Sequence, residues 1–560
     1  MAYQRYPIRT GIIFSVIFVI LFLSVVKLSM IQIFRGAYLS AKADRQNSRA
    51  VELEPRRGTI YDRNMKALAR NVVAYSLYAD PRSMTLEQKK TAARQVADVL
   101  GMPVDSVLKI LSRDRHFVWI RRKLSQKQYE RLKGESPRGL GFIKESRRFY
   151  PNGSLAAHVI GFANIDNEGL QGVEWEQDRY LKGRKGMAQF LRDARQRDLL
   201  IEKEFVAPVD GADVVLTIDE TIQFIAEEAI EKAFVQHRAK AATVIVMDPR
   251  TGEILAFVNR PSFDPGNPNR SPVENRTNRA VAFVYEPGSV FKIVTAAAAL
   301  EEGVTTEEEI IFCENGKYRI ANHTLKDSHP KGKLTFREVI EQSSNIGTVK
   351  MAQRLGPQKV YEYAHRFRFG MPTGIEMMGE VAGTLKPPSR WSKLSIGAIP
   401  IGQEVTVTSV QLLTMIAAVA NDGLMMKPQI IRHLRYPDGG VFEERKPEEM
   451  GRVMTVQTAA RLKEILKGVI EKGTAKQARM KDISAGGKTG TAQKVVGGAY
   501  SHSSFVASFI GFAPVEDPRL AIVVTFDEPR PAYYGGVVAG PVFKEIVENA
   551  IRYLDAKGGL

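Results

Sequence analysis

A serine and a lysine three positions apart are the residues most suited to chemistry in this sequence. Ser289 and Lys292 lie within YEPGSVFKIVTAAAAL, a stretch that predicts a helix over 290–303 that stops at Gly303. Residues three apart on a helix share a face, so the two side chains are predicted to touch. A serine hydroxyl needs a base to become a nucleophile, and a lysine can serve when burial or nearby cations lower its pKa. The same letters also fit a capping serine and a surface lysine.

Two later motifs add to this chemistry. Ser343-Ser344-Asn345 reads S-x-N, and Lys488-Thr489-Gly490 reads K-T-G. The lysine and the hydroxyls of Thr489 and Thr491 offer donors for a carboxylate. Gly486, Gly487 and Gly490 leave little side-chain bulk, which predicts a strand with room for another backbone. The three motifs in this order are typical of serine β-lactamases and penicillin-binding proteins.

The segments around these motifs predict an α+β fold. AATVIVMDPRTGEILAFVN reads as a strand hairpin, and SSFVASFIGFAP with LAIVVTFDEP reads as a second pair of strands near the C-terminus. An amphipathic helix is predicted over 540–554. Strand pairs at both ends of a region with helices between them indicate one antiparallel sheet, closed by both ends and packed against a helical lobe.

The N-terminal residues predict a single membrane anchor. The apolar run Gly11–Phe34 is long enough to cross a bilayer, which makes residues 1–10 a cytoplasmic tail. A cleaved signal peptide is the alternative, with Ala41-Lys42-Ala43 as a small-residue site, but the run exceeds a signal core in length. Basic residues, Arg5 among them, lie on both sides of the run, so their distribution does not fix its orientation. The short tail favours export of everything after Phe34.

The composition of the chain limits which classes of partner and cofactor are expected. The formal net charge of +18 suits anionic lipid or an acidic polymer. No nucleic-acid partner is predicted, because zinc-finger spacing and aromatic residues interleaved with basic ones are missing. The histidines are scattered, so neither a metal site nor a cofactor is predicted. The single cysteine, Cys313, cannot form an internal disulfide and reads as a core residue.

The region 45–205 shows no catalytic cluster. It contains PRRGTIYDRN, in which Arg57, Asp62 and Arg63 fit either a buried ion pair or a solvated turn, with a structural role favoured. Extended pieces such as AYSLYAD and a polar helix near 85–100 predict a mixed α+β region. All three motifs lie in the second region, 206–560.

The chain resembles the class B penicillin-binding proteins, which are peptidoglycan D,D-transpeptidases. Besides the three motifs, the resemblance is carried by RGTIYDRN, GLQGVE, TIDETIQ, GKTGTAQK and YYGGVVAGPVF. It is greatest to the cell-division FtsI type, although IGQEVTVTSVQ departs from the pattern near Gln403-Glu404 and leaves elongation and sporulation types open. No repeat modules follow the last helix, which disfavours the sporulation type. The resemblance implies a pedestal of the dimerisation type over 45–205 and a transpeptidase domain over 206–560.

The resemblance also implies a role for each motif residue. Ser289 attacks the carbonyl between two D-alanines of a stem peptide, and Lys292 takes its proton. Ser343 passes a proton to the leaving amine, and Asn345 holds the substrate amide and Lys292. Lys488, counted among the catalytic residues, and Thr489 fix the terminal carboxylate. The substrate-binding residues are Thr489, Gly490 and Thr491. The backbone N–H groups of Ser289 and Thr491 form the oxyanion hole. β-Lactams acylate Ser289 and remain attached.

The implied setting is the bacterial cytoplasmic membrane, with a single-pass anchor and the catalytic domain outside. The implied partners are a SEDS glycosyltransferase of the FtsW type and other division proteins. Two other function classes stay open. One is a D,D-carboxypeptidase or β-lactamase-like hydrolase, although no E-x-x-L-N follows the S-x-N motif. The other is a non-enzymatic β-lactam sensor, although ten residues before Gly11 are too few for a signalling domain.

Overall fold

The computed structural model describes residues 7–39, 48–134, 138–192 and 198–558. Arg5 and the small-residue site Ala41-Lys42-Ala43 lie outside the described residues. The chain separates into two compact units. The first unit comprises the described parts of Met1–Arg56 and Gly183–Asp210, and the second those of Arg57–Lys182 and Gly211–Leu560.

The first unit contains one long apolar helix. An α-helix spans Pro7–Ser29 and continues as a π-helix over Met30–Phe34. The helical residues Ile8–Phe34 are long and apolar enough to cross a membrane. This confirms the helix predicted over Gly11–Phe34, although it begins earlier, at a proline, which is favoured in the first turn because its missing N–H would have no helical acceptor there. A three-stranded antiparallel sheet completes the unit, in the order Ser48–Leu53, Gly186–Arg192, Asp198–Val206.

The second unit contains a seven-stranded sheet built from distant parts of the chain. Asp213–Leu216 lies near its centre, parallel to Ile60–Tyr61 and antiparallel to Ile431–Arg435. The order is Val441–Glu444, Ile431–Arg435, Asp213–Leu216, Ile60–Tyr61, Ala67–Ala79, Val118–Leu124, with Leu140–Phe149 also paired to Ala67–Ala79. The predicted AYSLYAD strand lies within Ala67–Ala79, and the helix predicted near 85–100 spans Leu86–Leu100 behind a capping box on Thr85.

Arg57 forms a buried ion pair, which was one of the two alternatives that the sequence left open; the other was a solvated turn. Its guanidinium lies 2.8 Å from Glu174 and 2.6 Å from Asp178. Arg148 contacts the other oxygen of Glu174 at 2.5 Å. Both arginines and Glu174 are buried. Glu174 would be costly to bury alone, so the two cations that flank it keep this part of the fold electrically balanced.

The candidate site rests on a five-stranded antiparallel sheet. Its strands in chain order are β1 Ala241–Met247, β2 Ile254–Arg260, β3 Gly486–Val496, β4 Ala499–Ala513 and β5 Leu520–Asp527. The order across the sheet is β2-β1-β5-β4-β3. The hairpin β1–β2 therefore pairs directly with the C-terminal strand β5, with Val244 opposite Val524. This confirms the predicted sheet closed by both ends of the region.

Six longer helices belong to this region of the chain, and their buried apolar residues are part of its core. They are α1 Glu220–Gln236, α2 Lys292–Glu301, α3 Asn345–Arg366, α4 Ser409–Ala420, α5 Val456–Glu471 and α6 Gly540–Gly558. α1 begins where the Asp219 carboxylate accepts the N–H groups of Thr221 and Ile222. α4 is buried along its whole length and packs against β1, β4 and β5. α2 and α3 pack together in the helical lobe.

Shorter elements connect these layers. The helices are Val104–Leu111, Gln126–Gly134, Ala157–Ile160, Gly172–Glu176, Asp178–Leu181, Arg279–Ala282, Phe336–Glu341, Ser395–Ala398 and Gly535–Val538. The strands are Phe162–Ala163, Gly169–Gln171, Ile310–Phe312, Lys317–Ile320, His323–Lys326, Lys333–Thr335, Leu424–Met426 and Glu449–Arg452.

Candidate active site

Ser289 lies in a tight turn that precedes its helix. A 3-10 turn spans Gly288–Phe291, and α2 begins only at Lys292. The α-helix therefore starts two residues later than predicted. The reason is the conformation of Gly288, which has a positive φ of 58° and donates its N–H to the Gly402 carbonyl at 3.1 Å. A Cβ on Gly402 would lie 2.6 Å from the Gly288 nitrogen, so two backbones pack directly together here.

Lys292 is fully buried, and its amine points toward the S-x-N motif. Nζ donates to the Ser343 carbonyl at 2.6 Å and to Asn345 Oδ1 at 2.7 Å, and it lies 3.1 Å from Ser343 Oγ. The predicted Ser289–Lys292 contact is not a hydrogen bond, since the Ser289 hydroxyl makes none in the described part of the chain. Burial, and then the nearby Lys488, lowers the Lys292 pKa well below 10.5, with Asp327 acting in the opposite direction.

Ser343 bridges the two lysines of the site. Its hydroxyl oxygen lies 3.0 Å from Lys488 Nζ as well as 3.1 Å from Lys292 Nζ. Ser343 itself has φ +59°, a conformation that few non-glycine residues adopt. That backbone bend presents both the carbonyl and the hydroxyl of one residue to Lys292.

Asp327 holds the S-x-N motif in place, and sequence reasoning missed it. The Ser344 hydroxyl donates to one oxygen of its carboxylate at 2.7 Å. The N–H groups of Asn345 and Ile346 donate to the other at 2.6 and 3.1 Å. Asp327 therefore satisfies two of the free N–H donors at the start of α3. It follows the strand His323–Lys326, far from the helix in sequence, so no local pattern marked it.

The K-T-G residues lie on β3, an edge strand that pairs only with β4 among the described strands. Lys488 is fully buried, and burial lowers its pKa to about 7. The Thr489 and Thr474 hydroxyl oxygens lie 3.1 Å apart. The Thr491 hydroxyl accepts the Gly535 N–H at 3.1 Å.

The glycines of β3 make room for two kinds of neighbour, and only Gly490 lies against another backbone segment from outside the sheet, as predicted. A Cβ on Gly486 would lie 2.6 Å from the Phe512 ring, and one on Gly487 would lie 2.6 Å from the Phe509 ring. These two glycines accommodate aromatic side chains of β4. At Gly490 a Cβ would lie 2.9 Å from the Pro287 carbonyl oxygen, so this glycine lets β3 approach the serine turn.

The free edge of β3 faces the serine turn. A Cβ on Gly288 would lie 3.2 Å from the Thr491 carbonyl oxygen, so that carbonyl points away from β4. The N–H and carbonyl of one residue in a strand point to the same side. The Thr491 N–H is therefore also unused by β4 and available beside Ser289.

The structure thus gathers the residues of all three motifs around one site. Lys292, Ser343, Asn345 and Lys488 form a continuous hydrogen-bonded group. Thr489, Gly490 and Thr491 follow along β3. Ser289 is partly exposed on the turn that packs against that strand. The arrangement pairs an accessible hydroxyl with a buried amine of low pKa, which is suited to acyl transfer.

Two protein-family models match successive regions of the chain. The family of the penicillin-binding protein transpeptidase domain matches residues 242–548, and the penicillin-binding protein dimerisation domain matches residues 52–216. A probable peptidoglycan D,D-transpeptidase PenA of Neisseria meningitidis is 35% identical over 92% of this chain and 88% of the relative. Stage V sporulation protein D of Bacillus subtilis is 34% identical over 100% of this chain and 88% of the relative.

Among solved structures, penicillin-binding protein 3 of Mycobacterium tuberculosis in complex with aztreonam has a similar fold. The TM-score is 0.71 at 28% identity, covering 90% of this chain and 97% of that chain.

Proposed function

The chain belongs to the class B penicillin-binding proteins and is a serine-type peptidoglycan D,D-transpeptidase, and we propose that it cross-links stem peptides of the septal wall with Ser289 as nucleophile. The observation that carries the assignment is the convergence of the three motifs on one site. Two buried lysines meet at Ser343, beside the turn that bears an accessible serine.

Lys292 acts as the base that activates Ser289. Burial lowers its pKa and so favours the unprotonated amine, which can accept the hydroxyl proton. A neutral amine has two N–H groups, which the Ser343 carbonyl and Asn345 Oδ1 accept at 2.6 and 2.7 Å. The nitrogen lone pair then stays free for a proton.

Ser343 acts as the proton carrier to the leaving group. Its hydroxyl lies within hydrogen-bond distance of both lysine amines. When Lys292 gains the serine proton, Ser343 can accept from Lys292 and donate its own proton onward. The Ser289 oxygen bonds to the carbonyl carbon, the D-Ala–D-Ala amide bond breaks, and the departing D-alanine nitrogen takes that proton.

β3 holds the donor peptide. The Lys488 amine and the Thr489 hydroxyl bind the terminal carboxylate, and Gly490 lets the strand run close to the serine turn. The Thr491 N–H, which points toward that turn, stabilises the oxyanion together with the N–H of Ser289. An amine of a second stem peptide then attacks the acyl-enzyme, forms the cross-linking amide and releases Ser289. β-Lactams acylate the same serine.

The setting proposed is the outer side of the bacterial cytoplasmic membrane. The long apolar helix Ile8–Phe34 supports a single-pass anchor. With this topology, residues 206–560 act as the transpeptidase domain and 45–205 as the pedestal. A glycosyltransferase of the FtsW type is the proposed membrane partner, together with other division proteins.

A sporulation role is the second candidate. It is favoured by the relative named stage V sporulation protein D, whose alignment spans the whole of this chain. Depletion in the source organism separates the two roles. A septal enzyme gives filaments during vegetative growth, whereas a sporulation enzyme leaves vegetative division intact.

Product analysis tests the reaction itself. The full-length protein in detergent is given a thioester donor that mimics the stem peptide, with and without an acceptor amine. Transfer predicts a new amide between donor and acceptor, formed at the expense of free acid and lost in Ser289→Ala. Free acid as the main product at saturating acceptor would favour a hydrolase instead.

A further inference from the structure

Glu286, three residues before Ser289, connects three segments around the candidate active site. It belongs to the serine loop, and its Oε1 accepts the backbone N–H of Glu404 at 3.0 Å. The same oxygen accepts the hydroxyl of Tyr500 at 3.2 Å. None of these contacts is needed for the chemical steps assigned to Ser289, Lys292 and Ser343.

Tyr500 lies at the outer end of the β3–β4 hairpin. It pairs with Val495, next to the turn formed by Gly497 and Gly498. In the described part of the chain, the Glu286 contact is the one hydrogen bond that joins residues 495–504 to anything beyond the hairpin. The inner half of the same hairpin carries Thr489, Gly490 and Thr491. A contact that fixes the outer half of the hairpin therefore also restrains the position of β3, the strand proposed to receive the donor peptide.

The Glu404 segment is also part of the serine surroundings. Gly402 packs directly against the Gly288 backbone. Glu404 has φ +58°, and a non-glycine residue held in this region needs support from its surroundings. The Glu286 carboxylate supplies that support at the Glu404 N–H. The Glu404 carboxylate accepts the Ser395 hydroxyl at 2.8 Å.

We propose that Glu286 is a positioning residue which, through Tyr500, holds the outer half of the β3–β4 hairpin against the serine loop and so fixes the free edge of β3 for the donor peptide. We call this contact the Glu286–Tyr500 latch. It deepens the proposed function and rests on it. Partial burial between the serine loop, the 404 segment and the hairpin raises the pKa of Glu286.

The latch predicts a specific kinetic signature. Tyr500→Phe removes one hydrogen bond far from the reacting atoms. It should reduce the second-order rate of acylation by a fluorescent penicillin by roughly 3- to 10-fold, the range for one hydrogen bond. The loss should appear in the apparent binding constant, with the first-order acylation step nearly unchanged, because the hairpin orders the ligand and takes no part in bond making.

Combining substitutions of Glu286 and Tyr500 tests whether Glu286 is the partner of Tyr500. Glu286→Gln keeps an acceptor oxygen and should stay closer to the wild type than Glu286→Ala. In the Glu286→Ala background, Tyr500→Phe should have no further effect, because the latch is already absent. Tyr180→Phe serves as the control, since its hydroxyl contacts Arg179 and Glu443 away from the site.

Two results would overturn the latch: Tyr500→Phe acylated at the wild-type rate, or effects of Tyr500→Phe and Glu286→Ala that multiply. If Glu286→Ala does not fold, Tyr500→Phe against Tyr180→Phe still decides. A wild-type protein that forms no adduct on Ser289 would instead overturn the proposed function.

Discussion

The two buried lysines determine how the candidate site titrates. Lys292 and Lys488 both contact Ser343 Oγ, and burial lowers the pKa of each. Lys488 also depresses the Lys292 pKa, because a second cation nearby disfavours protonation. If Lys292 is the base as proposed, its free amine is the active form and acylation should rise with pH through this lowered pKa.

Replacing Lys488 tests that coupling. Lys488→Gln removes the neighbouring cation, so the Lys292 pKa should rise and the ascending limb of the acylation rate should move to higher pH. The absolute rate should also fall, since a carboxylate ligand is lost. The measurement is the rate of penicillin acylation against pH, with Lys427→Gln as a distant control. An ascending limb at the wild-type position would contradict the coupling.

That the residues of the three motifs lie together could be expected from the sequence, because their types and order are typical of one group of serine enzymes. Their contacts could be predicted only in part. The contact between Asn345 and Lys292 that the resemblance implied is present as a hydrogen bond of 2.7 Å. The bond from Lys292 to the Ser343 carbonyl was not foreseen, because it depends on the positive φ of Ser343. Asp327 was missed because it reaches the start of α3 from a separate strand.

Among the strands and helices, β3 is the most important for the candidate site because it packs against two different neighbours. One face meets phenyl rings of β4, and the free edge meets the serine turn. The sequence predicted the strand and room for another backbone beside its glycines, which fits Gly490 but not the aromatic neighbours of Gly486 and Gly487. Which side chains lie opposite Gly486 and Gly487 depends on the β3–β4 register, and no local pattern encodes that register.

Gly490→Ala tests the approach of β3 to the serine turn. The added Cβ would lie against Ser508 Oγ and 2.9 Å from the Pro287 carbonyl oxygen. Overpacking of this kind should lower the free energy of unfolding by about 1–3 kcal/mol and slow acylation. Gly134→Ala is the control, because its Cβ would meet no atom of the described residues within 4 Å. Equal unfolding free energies and acylation rates in the two variants would show that β3 does not need this close contact.

For the molecule as a whole, the sequence located the apolar helix and the closed five-stranded sheet. Both depend on strong local patterns, a long apolar run and alternating strands around tight turns. The partners of Arg57 were out of reach, since Glu174 and Asp178 lie more than a hundred residues away and are brought near only by the fold. The same holds for the seven-stranded sheet, whose neighbours Ile60–Tyr61, Asp213–Leu216 and Ile431–Arg435 come from three distant segments.

The anchor predicts an orientation that can be measured. If residues 1–10 are cytoplasmic, everything after Phe34 lies outside, and protease added to intact spheroplasts should digest the catalytic region. A cytoplasmic protein in the same cells should stay protected. Digestion of the catalytic region only after the membrane is permeabilised would place it inside and exclude a role in wall synthesis.

Intact-mass measurement with peptide mapping after incubation with a penicillin tests the acylating serine most directly. The expected result is a stable adduct of one penicillin on the peptide that contains Ser289, absent in Ser289→Ala although that variant unfolds at the wild-type temperature. An adduct on another residue, or full labelling of Ser289→Ala, would contradict the assignment of Ser289 as the nucleophile.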